Sequence, residues 1–123
     1  MERTSSVGRA SAALAEGAPA RIRNRYDIRD EEVLPVLRAD PRLVPLLGEI
    51  ADEVPRVFGP EAKLALALVY DPEDGAAGEP FVFIRTALPP GEALERLRAF
   101  DEGWWLRRLA SGGGRLTVTL EYA

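Results

Sequence analysis

The chain contains neither cysteine nor histidine. Disulfide bonds, thiolate nucleophiles and zinc–sulfur sites all need cysteine, so these chemistries are excluded. Without histidine, the chain also lacks the commonest transition-metal ligand and the side chain that most often acts as a base at neutral pH. These two absences exclude many familiar catalytic and metal-binding arrangements, and no cofactor is predicted.

Long apolar runs are missing as well, since no segment approaches the roughly 20 apolar residues that cross a bilayer. No secretory hydrophobic region is visible, which favours the cytoplasm. Hydrophobic residues make up 46% of the 123 positions and charged residues 29%, as in ordinary soluble domains. We therefore expect a cytoplasmic protein that contacts no membrane.

Positive charge is concentrated at the N-terminus, where residues 1–25 carry five arginines and two glutamates. The remaining residues carry 11 basic and 18 acidic side chains. Because nucleic-acid affinity comes largely from neutralising phosphates, this acidic body predicts no direct nucleic-acid binding. Residues 1–20 are rich in small residues and lack periodicity, which predicts a disordered tail before a single domain over residues 21–123.

The C-terminal half predicts a strand, a helix and a strand. Residues 81–88 are rich in β-branched and aromatic side chains, and residues 115–122 alternate between apolar and polar. Between them, apolar residues recur at helical spacing: Leu94, Leu97, Phe100, Trp104 and Leu109. Neighbouring residues of a helix point about 100° apart, so we expect Trp104 in the core and Trp105 near an edge.

The N-terminal half supplies partners for these elements. Helical spacing over residues 30–37 and 43–58 precedes residues 63–70, which are apolar on both faces, as in a central strand. The turn-rich residues 71–80 then predict a long hairpin loop. Residues 21–28 also alternate, as an additional edge strand would.

The predicted fold class is therefore α+β, with element order α-β-β-α-β. We expect a two-layer sandwich whose mainly antiparallel sheet has three strands in the order 2-1-3, with two helices on its Leu64, Leu66 and Leu68 face. If residues 21–28 add a fourth strand, the pattern becomes βαββαβ and ferredoxin-like.

Helices on one face would leave the opposite face of this sheet uncovered. That face would carry Ala65, Ala67, Val69, Phe81, Phe83, Thr117 and Thr119. Leaving a phenylalanine in water forgoes about 1.5–3 kcal/mol, which is large beside a net stability of about 5–15 kcal/mol. The leading hypothesis is therefore a non-enzymatic interaction domain that binds a second copy or another protein there. Coverage by residues 21–36 and a small-ligand site are the alternatives.

Two acidic groups are the remaining candidates for chemistry. Asp101 and Glu102 adjoin the tryptophans, where burial could raise a carboxylate pKa for acid–base work, with Trp105 contacting a ligand. The alternative function is thus a small ligand-binding or carboxylate-based enzyme domain. A second group offers oxygen ligands for Ca²⁺ or Mg²⁺: Asp71, Glu73 and Asp74. Their spacing departs from an EF-hand loop, so solvated loop charges are the preferred interpretation.

Three stretches between Leu64 and Tyr122 carry a resemblance to short uncharacterised bacterial proteins. They are Tyr70-Asp71-Pro72-Glu73, Phe81-Val82-Phe83-Ile84-Arg85-Thr86 and Phe100-Asp101-Glu102-Gly103-Trp104-Trp105. Those proteins are similar to the small acidic partner of two-gene modules of the toxin–antitoxin kind. The resemblance implies a protein partner, and it implies no activity and no functional residues.

Overall fold

A computed structural model describes residues 20–70, 73, 78–112 and 116–123, which combine helices with one sheet. The predicted tail over residues 1–20 lies outside them except for its last residue. The elements are α1 over residues 20–25, β1 (Asp27–Ile28), α2 (Val33–Ala39), α3 (Leu43–Phe58), β2 (Lys63–Val69), β3 (Glu79–Thr86), α4 (Pro90–Phe100), a π-helical turn (Asp101–Trp105), α5 (Leu106–Gly112) and β4 (Thr117–Tyr122).

The four strands form one mixed sheet in the order β1-β2-β3-β4. β2 and β3 are the predicted antiparallel hairpin, with Leu66 paired to Val82. β4 runs parallel to β3, and β1 runs parallel to β2. The α+β class is confirmed, whereas the expected mainly antiparallel sheet is wrong. The strand order also differs from a ferredoxin-like sheet, because sequential strands are neighbours throughout.

The expected order, with the C-terminal strand beside β2, is wrong because another segment occupies that edge. Asp27 and Ile28 pair with β2, and the Arg29 N–H donates to the Leu66 carbonyl at 2.9 Å. The Leu68 N–H donates to the Asp30 carboxylate at 3.0 Å. β4 therefore pairs with β3, which is the usual outcome of a helical crossover between neighbouring parallel strands.

Residues 21–28 form only part of the predicted strand. Residues 20–25 are helical, and the Tyr26 N–H donates to the Ile22 carbonyl at 2.7 Å. Ile22 and Tyr26 are each 3% exposed, and the Tyr26 hydroxyl donates to the Leu47 carbonyl at 2.6 Å. Ile22 and Tyr26 are four residues apart, and that spacing places two side chains on the same face of either a strand or a helix. The alternation therefore could not distinguish the two structures.

One face of the sheet joins the helices in the hydrophobic core. Leu66, Val82 and Ile84 are fully buried there. The same cluster contains large buried residues from the helices: Val33, Leu43, Leu47, Ile50, Val54 and Phe100. Burying each such side chain contributes about 1.5–3 kcal/mol, so this cluster is the main source of stability.

The π-helical turn changes which tryptophan is buried. Trp105 is 4% exposed and Trp104 is only partly buried, so the expected assignment was wrong. The Leu106 N–H bonds to the Asp101 carbonyl five residues earlier, which widens the turn by one residue. The residue that follows Phe100 on the core face is therefore Trp105, whose ring stacks on Phe100 with centroids 6.3 Å apart.

The start of α4 also departs from the expected core register. Leu94 was expected inside but is 52% exposed, whereas Ala93 is fully buried in its place. Leu97 is partly buried and packs against the core, as the spacing predicted. At its N-terminal end, α4 therefore turns Ala93 toward the core and not Leu94, which the leucine spacing indicated.

Replacing the two tryptophans in turn tests the π-helical register. We expect Trp105→Ala to lower the free energy of unfolding by about 3–5 kcal/mol, because it removes a buried ring and leaves a cavity. Trp104→Ala, the matched control, should cost clearly less, since that ring is partly exposed. Urea denaturation measures both, and a larger loss for Trp104→Ala would contradict the register.

Candidate functional site

The residues predicted as an interface do lie on one face of the sheet. The register places Ala65 opposite Phe83 and Ala67 opposite Phe81. Thr119 and Thr117 lie beside the two phenylalanines on β4. Alternate residues of a strand share a face, so this set points away from the core residues of the same strands. We call it the aromatic face, defined by Ala65, Ala67, Val69, Phe81, Phe83, Thr117 and Thr119.

The two phenylalanines of the aromatic face bury each other incompletely. Their rings stack with centroids 5.9 Å apart and planes tilted by 30°. Both rings are partly exposed, whereas the neighbouring Ala65 and Ala67 are 0% and 7% exposed. None of the seven residues belongs to the core cluster or packs against it. The face therefore keeps apolar surface outside the main core.

An arginine that the sequence did not predict lies across the aromatic face. Arg29 follows β1, and its guanidinium carbon is 5.4 Å from the centroid of the Phe83 ring, a cation–π contact. Its two terminal nitrogens donate to both carboxylate oxygens of Glu121 on β4. β2 lies between β1 and β3, and its alanine methyl groups leave room for this long side chain to cross.

Glu121 is held by a second arginine. The Arg85 Nε lies 2.9 Å from Glu121 Oε1. That buried nitrogen has no hydrogen-bond partner among the described residues, so we interpret the contact as an ion pair without hydrogen-bond geometry. The hydrogen bond from Arg29, together with both positive charges, holds the pKa of Glu121 below its ordinary value of 4.5.

The sequence indicates the position of two of these three charged residues, Arg85 and Glu121. Arg85 continues the alternation of Phe81 and Phe83, and Glu121 continues that of Thr117 and Thr119. Both therefore had to share a face with the aromatic pair once the strands were assigned. Arg29 had no such signal, because its place depends on the pairing of β1 with β2.

The π-helical turn does not assemble the predicted ligand site. Trp105 is buried against Phe100, so its ring has no open face for a ligand. Asp101 is partly buried, and desolvation, followed by the charge of Glu102, raises its pKa above the ordinary 3.8. Glu102 itself is exposed. The turn thus offers one partly buried carboxylate, and no partner for acid–base work is assembled beside it in the described part of the chain.

The described residues give no support to a Ca²⁺ or Mg²⁺ site at the acidic loop. Asp71 and Asp74 lie outside the described residues, and Glu73 is exposed. Across the described part of the chain, no group of three or more potential metal-ligating side chains comes together. The aromatic face is therefore the predicted site whose residues the fold brings together.

Comparison with protein-family models, curated proteins and solved structures finds no match. Within the ranges that the structure describes, every helix is too short or too polar to span a lipid bilayer.

The depressed pKa of Glu121 predicts a contribution to stability that acid removes. The folded state favours the ionised carboxylate, so its contribution is present above about pH 4.5 and is lost as pH falls through the lower folded pKa. We expect Glu121→Gln to flatten this part of the curve of unfolding free energy against pH. Glu95→Gln, which removes an exposed carboxylate on α4, is the control. Identical curves for wild type and Glu121→Gln would contradict the prediction.

Proposed function

We propose that this protein is a non-enzymatic interaction domain that pairs with a second copy of itself through the aromatic face. In this proposal the helices cover one face of the sheet in a two-layer arrangement, and the partner copy covers the other. The absence of the five apolar residues of the aromatic face from the hydrophobic cluster that joins sheet and helices supports that arrangement.

The outward residues of β3 carry the proposal. They are, in order, Glu79, Phe81, Phe83 and Arg85: an acid, two aromatic rings and a base. If a second β3 crosses the first in the opposite direction, each acid lies against the partner's base and the rings meet in the middle. This pattern is self-complementary, as a twofold interface between identical chains requires.

The charges at the two ends of β3 are available for such contacts. Glu79 is exposed and forms no ion pair among the described residues. The Arg85 side chain is 42% exposed even though Glu121 lies beside it. Rim charges of this kind set the orientation of an interface more than its affinity. They therefore favour the antiparallel crossing over the parallel one.

The aromatic pair would supply the affinity. Aromatic residues are enriched among the positions that dominate binding energy, especially at the centre of an interface. Two sheets that pack face to face interdigitate side chains at a separation of about 10 Å, which suits flat rings flanked by alanine and threonine. Arg29, which lies over the Phe83 ring and is held by Glu121, would form part of the interface beside the rings.

Removing one ring tests the proposed interface. We expect light scattering after size exclusion, at about 1–100 µM, to give twice the chain mass of 13.5 kDa. Phe83→Ser should shift the protein to monomer while it remains folded. Leu94→Ser removes an exposed apolar side chain on α4 and should leave the dimer intact. A monomeric wild type would contradict self-association and leave the face to a different protein, such as the larger member of a two-gene module.

Charge reversal tests the antiparallel crossing separately. Glu79→Arg places two bases at each contact, and Arg85→Glu places two acids there, so each variant alone should dimerise poorly. An equimolar mixture should form a heterodimer, because each acid then meets a base again. Native mass spectrometry distinguishes the species when one chain carries ¹⁵N. If the mixture associates no better than the separate variants, the crossing is wrong.

A further inference from the structure

A cleft of about 650 Å³ opens where α1 and β1 meet α3 and the start of β2. Its volume lies in the range of small-molecule pockets, which is about 300–1,000 Å³. Twelve residues line it, and nothing in the sequence pattern predicted that they would meet. Its walls come from segments far apart in the chain, namely residues 23–27, residues 62–64, Ala51, Val54, Pro55 and Arg85.

Positive charge predominates among the residues that line this cleft. Four bases line it, namely Arg23, Arg25, Lys63 and Arg85, against the single acid Asp27. This excess occurs in a chain whose formal net charge is −4. Low-dielectric walls concentrate the potential of such charges at a concave surface. The cleft is therefore suited to an anion.

The bases differ in how far they are already neutralised. Arg23 is paired with Glu31, and Arg25 with Asp52 at 3.0 Å. Arg85 is paired with Glu121 at 2.9 Å. None of those three carboxylates lines the cleft. Lys63, by contrast, is exposed and forms no ion pair within the described part of the chain. Its ammonium group is consequently the natural first contact for an incoming anion.

The inner wall of the cleft is apolar. Ala51, Val54 and Leu64 line it and are 2%, 1% and 9% exposed. Tyr26 adds an aromatic ring whose hydroxyl is already bonded to the Leu47 carbonyl. An apolar wall beneath a basic rim fits a ligand that is anionic at one end and apolar at the other.

We propose that this cleft binds a small molecule with one oxyanion group, a carboxylate or a phosphate, on a short apolar body. The oxyanion contacts Lys63, with Arg85 close by, since these two residues are cross-strand partners. Arg85 is itself ion-paired with Glu121, so it adds positive potential beside the site, and Lys63 makes the direct contact. The apolar body lies over Val54 and Leu64.

Titration of the ¹⁵N-labelled full chain tests this site. The probes are phenyl phosphate and benzoate, with benzylamine as the cationic counterpart and inorganic phosphate as the anion without an apolar body. We expect saturable shifts of the amide resonances of residues 62–64 with the two aromatic anions, weaker binding of inorganic phosphate and no binding of benzylamine. The tighter of the two aromatic anions identifies the class of oxyanion.

Two variants with the same change of charge give the control. Lys63→Glu should weaken binding at least about tenfold, because it removes one charge-assisted hydrogen bond and adds a carboxylate that repels the anion. Arg98→Glu reverses an exposed charge on α4, away from the cleft lining, and should change the affinity less than twofold. Absence of saturable shifts up to about 10 mM, or equal losses in both variants, would overturn the proposal.

The cleft and the proposed dimer share Arg85, so a variant outside the cleft is needed to separate them. Phe83 does not line the cleft. Phe83→Ser should therefore keep the affinity for the aromatic anions even when it abolishes the dimer. Loss of anion binding in that variant, with the fold intact by circular dichroism, would mean that the site needs the second copy and would overturn the single-chain site proposed here.

Discussion

The pairing of a two-residue strand, Asp27–Ile28, with the edge of β2 is the interaction on which the rest of the structure depends. It is short, but the Arg29 N–H and the Asp30 carboxylate extend it by two further hydrogen bonds. A backbone group left unpaired in a buried place costs about 1–3 kcal/mol, so closing this edge matters. With that edge closed, β4 pairs with β3. The same pairing places Arg29 beside Phe83, and it places Asp27 of β1 in the lining of the cleft.

The aromatic face has an apolar centre and charged ends, an arrangement that suits the proposed antiparallel crossing of two β3 strands. Arg29 and Arg85 both approach Glu121, so the arginine-rich end of the face is partly neutralised within the chain. Glu79 at the opposite end has no such partner among the described residues. A net charge of −4 opposes self-association weakly at physiological salt, where surface charges are screened within about 8 Å. Local complementarity can therefore outweigh that repulsion.

The π-helical turn shows where sequence patterns stop being informative. π-Helical turns are frequent at functional sites, but this one buries Trp105 and leaves Asp101 and Glu102 outside any metal-ligating group among the described residues. Its effect is on packing, because two adjacent large rings compete for the core and the wider turn places the second one there. A helical wheel drawn at 3.6 residues per turn assumes that every hydrogen bond spans four residues, so it selects Trp104.

The sequence by itself determined which side chains share a face of the sheet, since alternation along a strand is local and has a period of two. The composition of the aromatic face followed from that alternation, and the hairpin of β2 and β3 followed from the turn-rich residues between the two strands. Only the tertiary structure decided which edge each strand took, which tryptophan was buried, and where Arg29 and the basic cleft lie. Those features depend on contacts between residues far apart in the chain, such as Arg29 with Glu121, and no local periodicity encodes them.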